Sequence, residues 1–342
     1  MRTAYVYDPI YLEHDLPSHP ENAGRLRHIL DLLEKKGMSA RLTLLQPRPA
    51  TEEEVLRVHT AEHVARVQQT AHADLGYLDS DTYVVARSFE AALMAAGGVV
   101  RAVEAVLAGE IANGFALVRP PGHHATPTRA MGFCLFNNVA VGARAALASG
   151  KAERVFIADF DVHHGNGTQE VFQDDPAVFY FSTHQYPHYP GSGHWSDTGR
   201  DAGRGTVLNV PLPAGVGDSG YARVFAELAW PLAERFHPDL ILVSAGYDAH
   251  WGDPLAQMNL SLTGYANLAR ELVRMAGQLC NGQIVFVLEG GYRLDVLAHG
   301  VLNTFYALLG EDETLDPFGP SPRSEPPIDT LITRVKEAHH LN

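Results

Sequence analysis

An α/β fold with one parallel sheet held between helices is the architecture that this 342-residue chain predicts, on three observations. Short runs rich in Val, Ile, Leu and Phe recur along the chain, and several are apolar throughout, as parallel strands covered on both faces are. Stretches of helical period lie between them, the alternation expected of a sheet sandwiched by helices. Polar or glycine-rich loops follow five of the runs, where an open parallel sheet places its functional crevice.

The elements follow in order. "TAYVY" from Thr3 opens as a strand, and "NAGRLRHILDLLEKKG" from Asn22 predicts a helix that stops at Gly37. Thr51 with Glu54 spells a capping box. "FEAALMAAGGVVRAVEAVLAG" from Phe89 predicts a long helix ended by Gly109. Then "FALV" from Phe115 leads into "RPPGHHA", "RVFIADFDV" from Arg154 into "HHGNG", and "AVFYFS" from Ala177 into "THQYPHYPGSG". "TVLNVPL" from Thr206 is a further strand, followed by helical "YARVFAELAWPLAERF" from Tyr221. "LILVSAG" from Leu240 leads into "YDAHWGDP", "TGYANLARELVRMAGQL" from Thr263 is helical, and "IVFVLEGG" from Ile284 leads into "YRLD". No repeat or linker interrupts the chain before about residue 310. The proline-rich "DPFGPSPRSEPP" marks 311–342 as a tail packing on a single domain that spans 1–342, with room for one short helix.

Composition excludes several function classes. Apolar residues make up 46%, enough for a substantial core, and the formal net charge of −14 repels phosphate backbones, so nucleic acid is not an expected partner. Cys134 and Cys280, the only two cysteines, lie far apart in apolar surroundings and read as packing residues of a reduced compartment. Neither a secretion signal nor a run near the roughly 18 apolar residues of a membrane span is present, so a cytoplasmic location without a membrane partner is expected.

Chemistry concentrates where the strands end. In "IADFDVHHGNG" a strand would put Asp159, Asp161 and His163 on one face, an odd face for a buried strand. Asp161 and His163 with Asp248 from another strand end offer two carboxylates and an imidazole, a set suited to a divalent cation with open positions. A loop cap or a satisfied core histidine explains any one of them alone; three on neighbouring strand ends point to a metal. His123 and His124, held in an irregular segment by Pro120, Pro121 and Gly122, could supply a base and an electrostatic partner beside it. The doublet alone carries little, since His339-His340 in the tail has the same spelling. Tyr292, after "EGG", could reach over the site. His14, His19, Asp79 and Asp81 could contribute to a rim or stand in solvated loops.

Taken together, "RPPGHHA", "GFCLFNNVA", "DFDVHHGNGTQ", "SAGYDAHWGDP" and "LEGGY", with "HPEN" and Arg25 upstream, resemble the zinc-dependent histone deacetylase and acetylpolyamine amidohydrolase superfamily, closest to its class II and bacterial members. The resemblance implies an arginase-like three-layer α/β sandwich whose central, mostly parallel sheet has eight strands flanked by helices. It implies Zn²⁺ on Asp161, His163 and Asp248, with His124 as base and then acid, His123 as electrostatic partner and Tyr292 polarising the amide carbonyl. Asp159 matches the carboxylate that orients His123. Asn166 matches the partner of His124, an aspartate in class I relatives; a neutral amide leaves His124 more readily uncharged. Asp159 and Ser182, with backbone oxygens of Asp161, His163 and Thr183, match an inner potassium site.

The same resemblance implies the substrate. Gly132, Phe133 and Tyr189 match a narrow aromatic tunnel that takes an acyl-lysine stem. Leu255 stands where vertebrate polyamine deacetylases carry a glutamate that attracts a second ammonium. An acyl-lysine protein or peptide is therefore the expected substrate and an acetylated polyamine the alternative, with a catalytically silent acyl-lysine binding module further off. Whether chains associate as a homo-oligomer is left open.

Overall fold

The computed structural model describes residues 2–72 and 74–341. Ten strands run in chain order: β1 (Thr3–Val6), β2 (Thr43–Leu45), β3 (Gly76–Tyr77), β4 (Tyr83–Val84), β5 (Asn113–Ala116), β6 (Val155–Asp159), β7 (Val178–Gln185), β8 (Val207–Leu212), β9 (Leu240–Ala245) and β10 (Ile284–Leu288). Eight of them form one sheet in the order β2-β1-β5-β10-β9-β6-β7-β8, and every pairing in it is parallel. The α/β architecture and the eight strands are as expected. β2, three residues long and half exposed, has too little apolar sequence to announce itself. β3 and β4 form a separate antiparallel ribbon.

The principal helices are α1 (Gly24–Lys35), α2 (Glu52–Leu56), α3 (Ala61–Gln68), α4 (Ser88–Leu107), α5 (Asn138–Ala148), α6 (Asn166–Phe172), α7 (Asp218–Val224), α8 (Trp230–Phe236), α9 (Leu262–Leu279), α10 (Leu294–Leu308) and α11 (Asp329–His339). α4 and α5 pack on each other and on central strands, while α1, α10, α9 and α7 pack in a separate series, so helices flank the sheet as two layers. The Thr51–Glu54 capping box forms both of its bonds, and Gly37 and Gly109 end their helices at φ +66° and +68°. One expected helix is interrupted: between α7 and α8 the turn Phe225–Ala229 widens to a π-helix just before Pro231, which has no N–H to donate. Residues 311–328 run without a helix before α11, and no described helix is long and apolar enough to cross a membrane.

The strand in the most polar motif is shorter than alternation suggested. β6 ends at Asp159, and Asp161 and His163 stand on the turn that follows. Phe160 N still reaches Ser244 O at 3.2 Å, and Gln185 N reaches Val162 O at 2.9 Å, so the chain stays pinned between its neighbours past the strand end. That pinning keeps both side chains on the site.

Candidate metal and active site

Asp161 and His163 beyond β6 and Asp248 beyond β9 offer one donor atom each, all within 4.8 Å of one another and all buried. His163 Nδ1 stands 3.1 Å from Asp161 Oδ1 and 3.3 Å from Asp248 Oδ2. Backbone groups fix the carboxylates: Gly290 N donates to Asp161 Oδ2 at 2.8 Å and Val162 N to Asp248 Oδ1 at 2.9 Å. Gly290 is required here, because a Cβ at that position would collide with Asp248 Oδ2 and Asp161 Oδ2. Asp248 Oδ2 is buried and accepts no hydrogen bond, a costly state for a carboxylate oxygen unless a cation meets it. Burial opposes charge on His163, yet the carboxylates of Asp161 and Asp248 beside it lift it to about 10. Two carboxylates and an imidazole with their donor atoms this close are a set that a divalent cation fits.

Two histidines beyond β5 differ only in their partners. His123 Nδ1 donates to Asp159 Oδ2 at 3.0 Å, and the Tyr180 hydroxyl donates to the same oxygen at 3.1 Å. Burial disfavours its charge, but Asp159 and then Asp161 raise it to about 10. His124, with its ring 4.0 Å away, donates from Nδ1 to Asn166 Oδ1 at 2.8 Å, leaving the Nε2 lone pair free. Burial, then the charges of His123 and His163, hold it well below the ordinary histidine value. One imidazole is thus kept charged and its neighbour neutral.

A cavity of about 230 Å³ opens over these groups, lined by His123, His124, His163, Gly132, Phe133, Cys134, His188, Tyr189, Leu255, Tyr292 and Asp81. Phe133 holds φ +70°, unusual outside glycine, pinned by the Thr82 hydroxyl on its N–H at 3.1 Å and by the Met131–Cys134 bridge. Gly132 beside it has φ +57°, and a Cβ there would strike the His124 ring. Phe133 meets the Tyr292 ring edge-on at 5.8 Å, and Tyr189 meets His124 edge-on at 5.1 Å. The Arg25 guanidinium lies over the Tyr292 ring at 5.1 Å. Burial raises the Tyr292 phenol well above its ordinary value, so it stays protonated.

Asp159 pairs in register with Ser182 across β6 and β7. His184 Nε2 faces Gly193 O at 2.9 Å and so carries the hydrogen; its Nδ1 then accepts from Ser182 Oγ at 2.9 Å. Thr183 Oγ1 is buried without a partner among the described residues.

Some readings need correction, and some residues were missed. His14 is not at a rim: it is buried, stacked on Tyr83 at 4.4 Å and bonded to Ser88. Asp79 caps the backbone of Asp81 and Thr82, whereas His19 packs edge-on to Phe133 at 4.6 Å. Cys134 packs, as expected, but in the cavity wall. Unanticipated are Glu289, whose buried carboxylate accepts from Gly122 N at 2.7 Å and His123 N at 3.2 Å, and Asp253, which holds the backbone of Tyr292. Also unanticipated is a buried cluster in which Arg119 is bonded to Glu21, Tyr11 O and His14 O, with Arg25 on Glu21 as well. "EGG", "GDP" and "HPEN" were the available signals.

Comparison with known proteins gives a consistent picture. Residues 19–308 match the histone deacetylase domain. The chain is 42% identical to the chloroplastic histone deacetylase 14 of Arabidopsis thaliana over 96% of its own length and 83% of that protein's. It is 39% identical to the human polyamine deacetylase HDAC10 over 93% of its length and 48% of that protein's. Among solved structures, the crystal structure of the HDA15 HD domain superposes with a TM-score of 0.89 at 38% identity, covering 99% of this chain and 94% of that one.

Proposed function

The chain belongs to the histone deacetylase domain family and is a hydrolytic deacetylase acting on amides; from that premise we propose that it removes acetyl or other short acyl groups from the side-chain amine of lysine in proteins or peptides, using zinc. Asp161, His163 and Asp248 would hold the ion, which when bound supplies Lewis acidity toward water and the acyl carbonyl. The observation that carries the reading is Asp248 Oδ2, a buried carboxylate oxygen without a hydrogen bond, facing His163 beside a neutral His124.

The chain's own residues do the rest. His124 Nε2 takes the proton of the attacking water and returns it to the leaving amine. His123, kept charged by Asp159, offsets the negative charge that develops nearby. The Tyr292 hydroxyl donates to the carbonyl oxygen as that oxygen becomes anionic. Phe133 and Tyr189 flank the alkyl stem, and Gly132 lets the amide approach. Acetate and a free amine leave. A potassium ion on Asp159, Ser182 and the carbonyl oxygens of Asp161, His163 and Thr183 would tie the ends of β6 and β7 together.

Acetylated polyamines are the second reading, favoured by Asp81 on the cavity wall and opposed by Leu255, which is itself uncharged. Release of amine from acetyl-lysine peptides and from acetylspermidine, before and after chelation and zinc return, tests both. Loss and recovery of peptide hydrolysis is expected, along with about two orders of magnitude less kcat in Tyr292→Phe and in His124→Ala. Hydrolysis indifferent to chelation overturns the metal reading, and ordinary turnover in either variant overturns that residue's role.

A further inference from the structure

Five residues beyond Asp248, Asp253 is 7% exposed. Its Oδ1 accepts from Leu255 N at 2.9 Å, and its Oδ2 from Tyr292 N at 2.8 Å and Arg293 N at 3.2 Å. One carboxylate therefore binds two loops: the loop after β9, which carries Leu255, and the loop after β10, which carries Tyr292. Burial and the charge of Asp248 lift its carboxyl to about 7, and the three N–H donors favour the ionised form.

The two loops also interlock through side chains. Arg293 lies flat on Gly252, where a Cβ would meet its Nη1, and its guanidinium covers the Trp251 and Phe318 rings at 5.8 and 4.4 Å. On the other side Leu255 O accepts from His188 Nε2 at 3.1 Å, and the His188 ring stacks on His163 at 5.3 Å. The Tyr292 ring meets Phe133 edge-on and lies under the Arg25 guanidinium, contacts that carry no hydrogen bond, while its backbone N–H is bonded to Asp253. The Tyr292 hydroxyl is the far end of a long side chain, so a small rotation at the backbone becomes a large displacement at the oxygen.

We propose that Asp253 is a positioning residue for Tyr292, fixing the backbone of the loop after β10 so that the phenol reaches the substrate carbonyl, without touching substrate itself. The inference rests on the role of Tyr292 given above. Misplacement of a reacting group by about 1 Å costs on the order of 10²-fold in rate, and three backbone hydrogen bonds to one carboxylate are enough to set that placement.

The test is a double-mutant cycle in the zinc-loaded full chain, read with metal content and amide hydrogen exchange. Asp253→Ala should lower kcat by about 10- to 100-fold with KM within about threefold, leave metal per chain unchanged and speed exchange at the amides of 292 and 293. In a Tyr292→Phe background the same change should cost less than about threefold, because the tyrosine's contribution is already gone. Asp253→Asn, which keeps one acceptor oxygen, should fall between and carries the cycle if the alanine variant does not fold. Full additivity, unchanged exchange, or metal loss in step with activity overturns the proposal. Ordinary turnover in Tyr292→Phe alone overturns the role of Tyr292 and the proposal with it; a defective Tyr292→Phe with additive Asp253 effects overturns only the positioning.

Discussion

Replacing Asn166 with aspartate would put a carboxylate beside His124, the imidazole proposed as the base. The protein contains its own control: His123 faces Asp159 at 3.0 Å and is raised to about 10, whereas His124 faces Asn166 Oδ1 at 2.8 Å and is held well below the ordinary value, although both rings are buried. Two unit charges about 4 Å apart at an effective dielectric constant near 20 interact by about 4 kcal/mol, or roughly three pKa units. Asn166 is only half buried, so water screens part of this, and a rise of about one to two units in His124 is expected. The proton-accepting form then exists only at higher pH, so the acid limb of the kcat/KM profile moves upward by the same one to two units. Below both limbs the variant should be about 10- to 100-fold slower, and the difference should shrink as pH rises. Profiles from pH 5 to 9 on an acetyl-lysine peptide, with metal content matched, measure this. An acid limb that does not move in a folded, metal-replete variant refutes His124 as the base governed by Asn166.

Leu255→Glu should raise kcat/KM for acetylspermidine relative to an acetyl-lysine peptide by about tenfold or more, the value of one new charge contact in a partly desolvated cavity; an unchanged ratio removes Leu255 as a determinant. Gly290→Ala should weaken metal binding by at least about 10- to 100-fold, because its Cβ would collide with Asp248 Oδ2 and Asp161 Oδ2, and an unaltered dissociation constant in a chelator competition contradicts this. Arg119→Met removes a fully buried guanidinium from Glu21 and two carbonyls, so a loss of about 3–5 kcal/mol is expected, read as a clear fall in Tm; a shift within error means that the cluster relaxes freely.

Legibility in the sequence followed the kind of partner each residue has. Asp161, His163 and Asp248 could be found because donor types at strand ends advertise one another, and β6, β7, β9 and β10 could be found because both of their faces are buried. Asp253 and Glu289 could not, since what they bind is backbone N–H, which every residue but proline carries. His14 misled for a related reason: a histidine in a polar segment reads as solvated, and only the fold brings Tyr83 against its ring. Gly290 was visible as a glycine, but the atoms that its missing Cβ makes room for belong to the distant Asp161 and Asp248.

The charge inventory around the cavity explains why these partners matter. Asp159, Asp161, Asp248 and Glu289 are essentially fully buried, with Asp253 close to it, while the two buried arginines are spent on Glu21 and on backbone carbonyls. Positive charge near the carboxylates comes instead from His123 and His163, each raised to about 10. A metal needs the lone pair of the His163 nitrogen, so cation and proton compete for one atom, and binding the ion trades a single charge for a double one where acids are in excess. His123 is outside that exchange because Asp159 holds its proton at Nδ1. His124 has no carboxylate bonded to its ring, and burial, then the charges of His123 and His163, keep it below the ordinary histidine value. Environments that push adjacent titratable groups apart in this way are what acid–base chemistry at neutral pH requires, and here the two imidazoles differ in that one faces the carboxylate of Asp159 and the other the amide of Asn166.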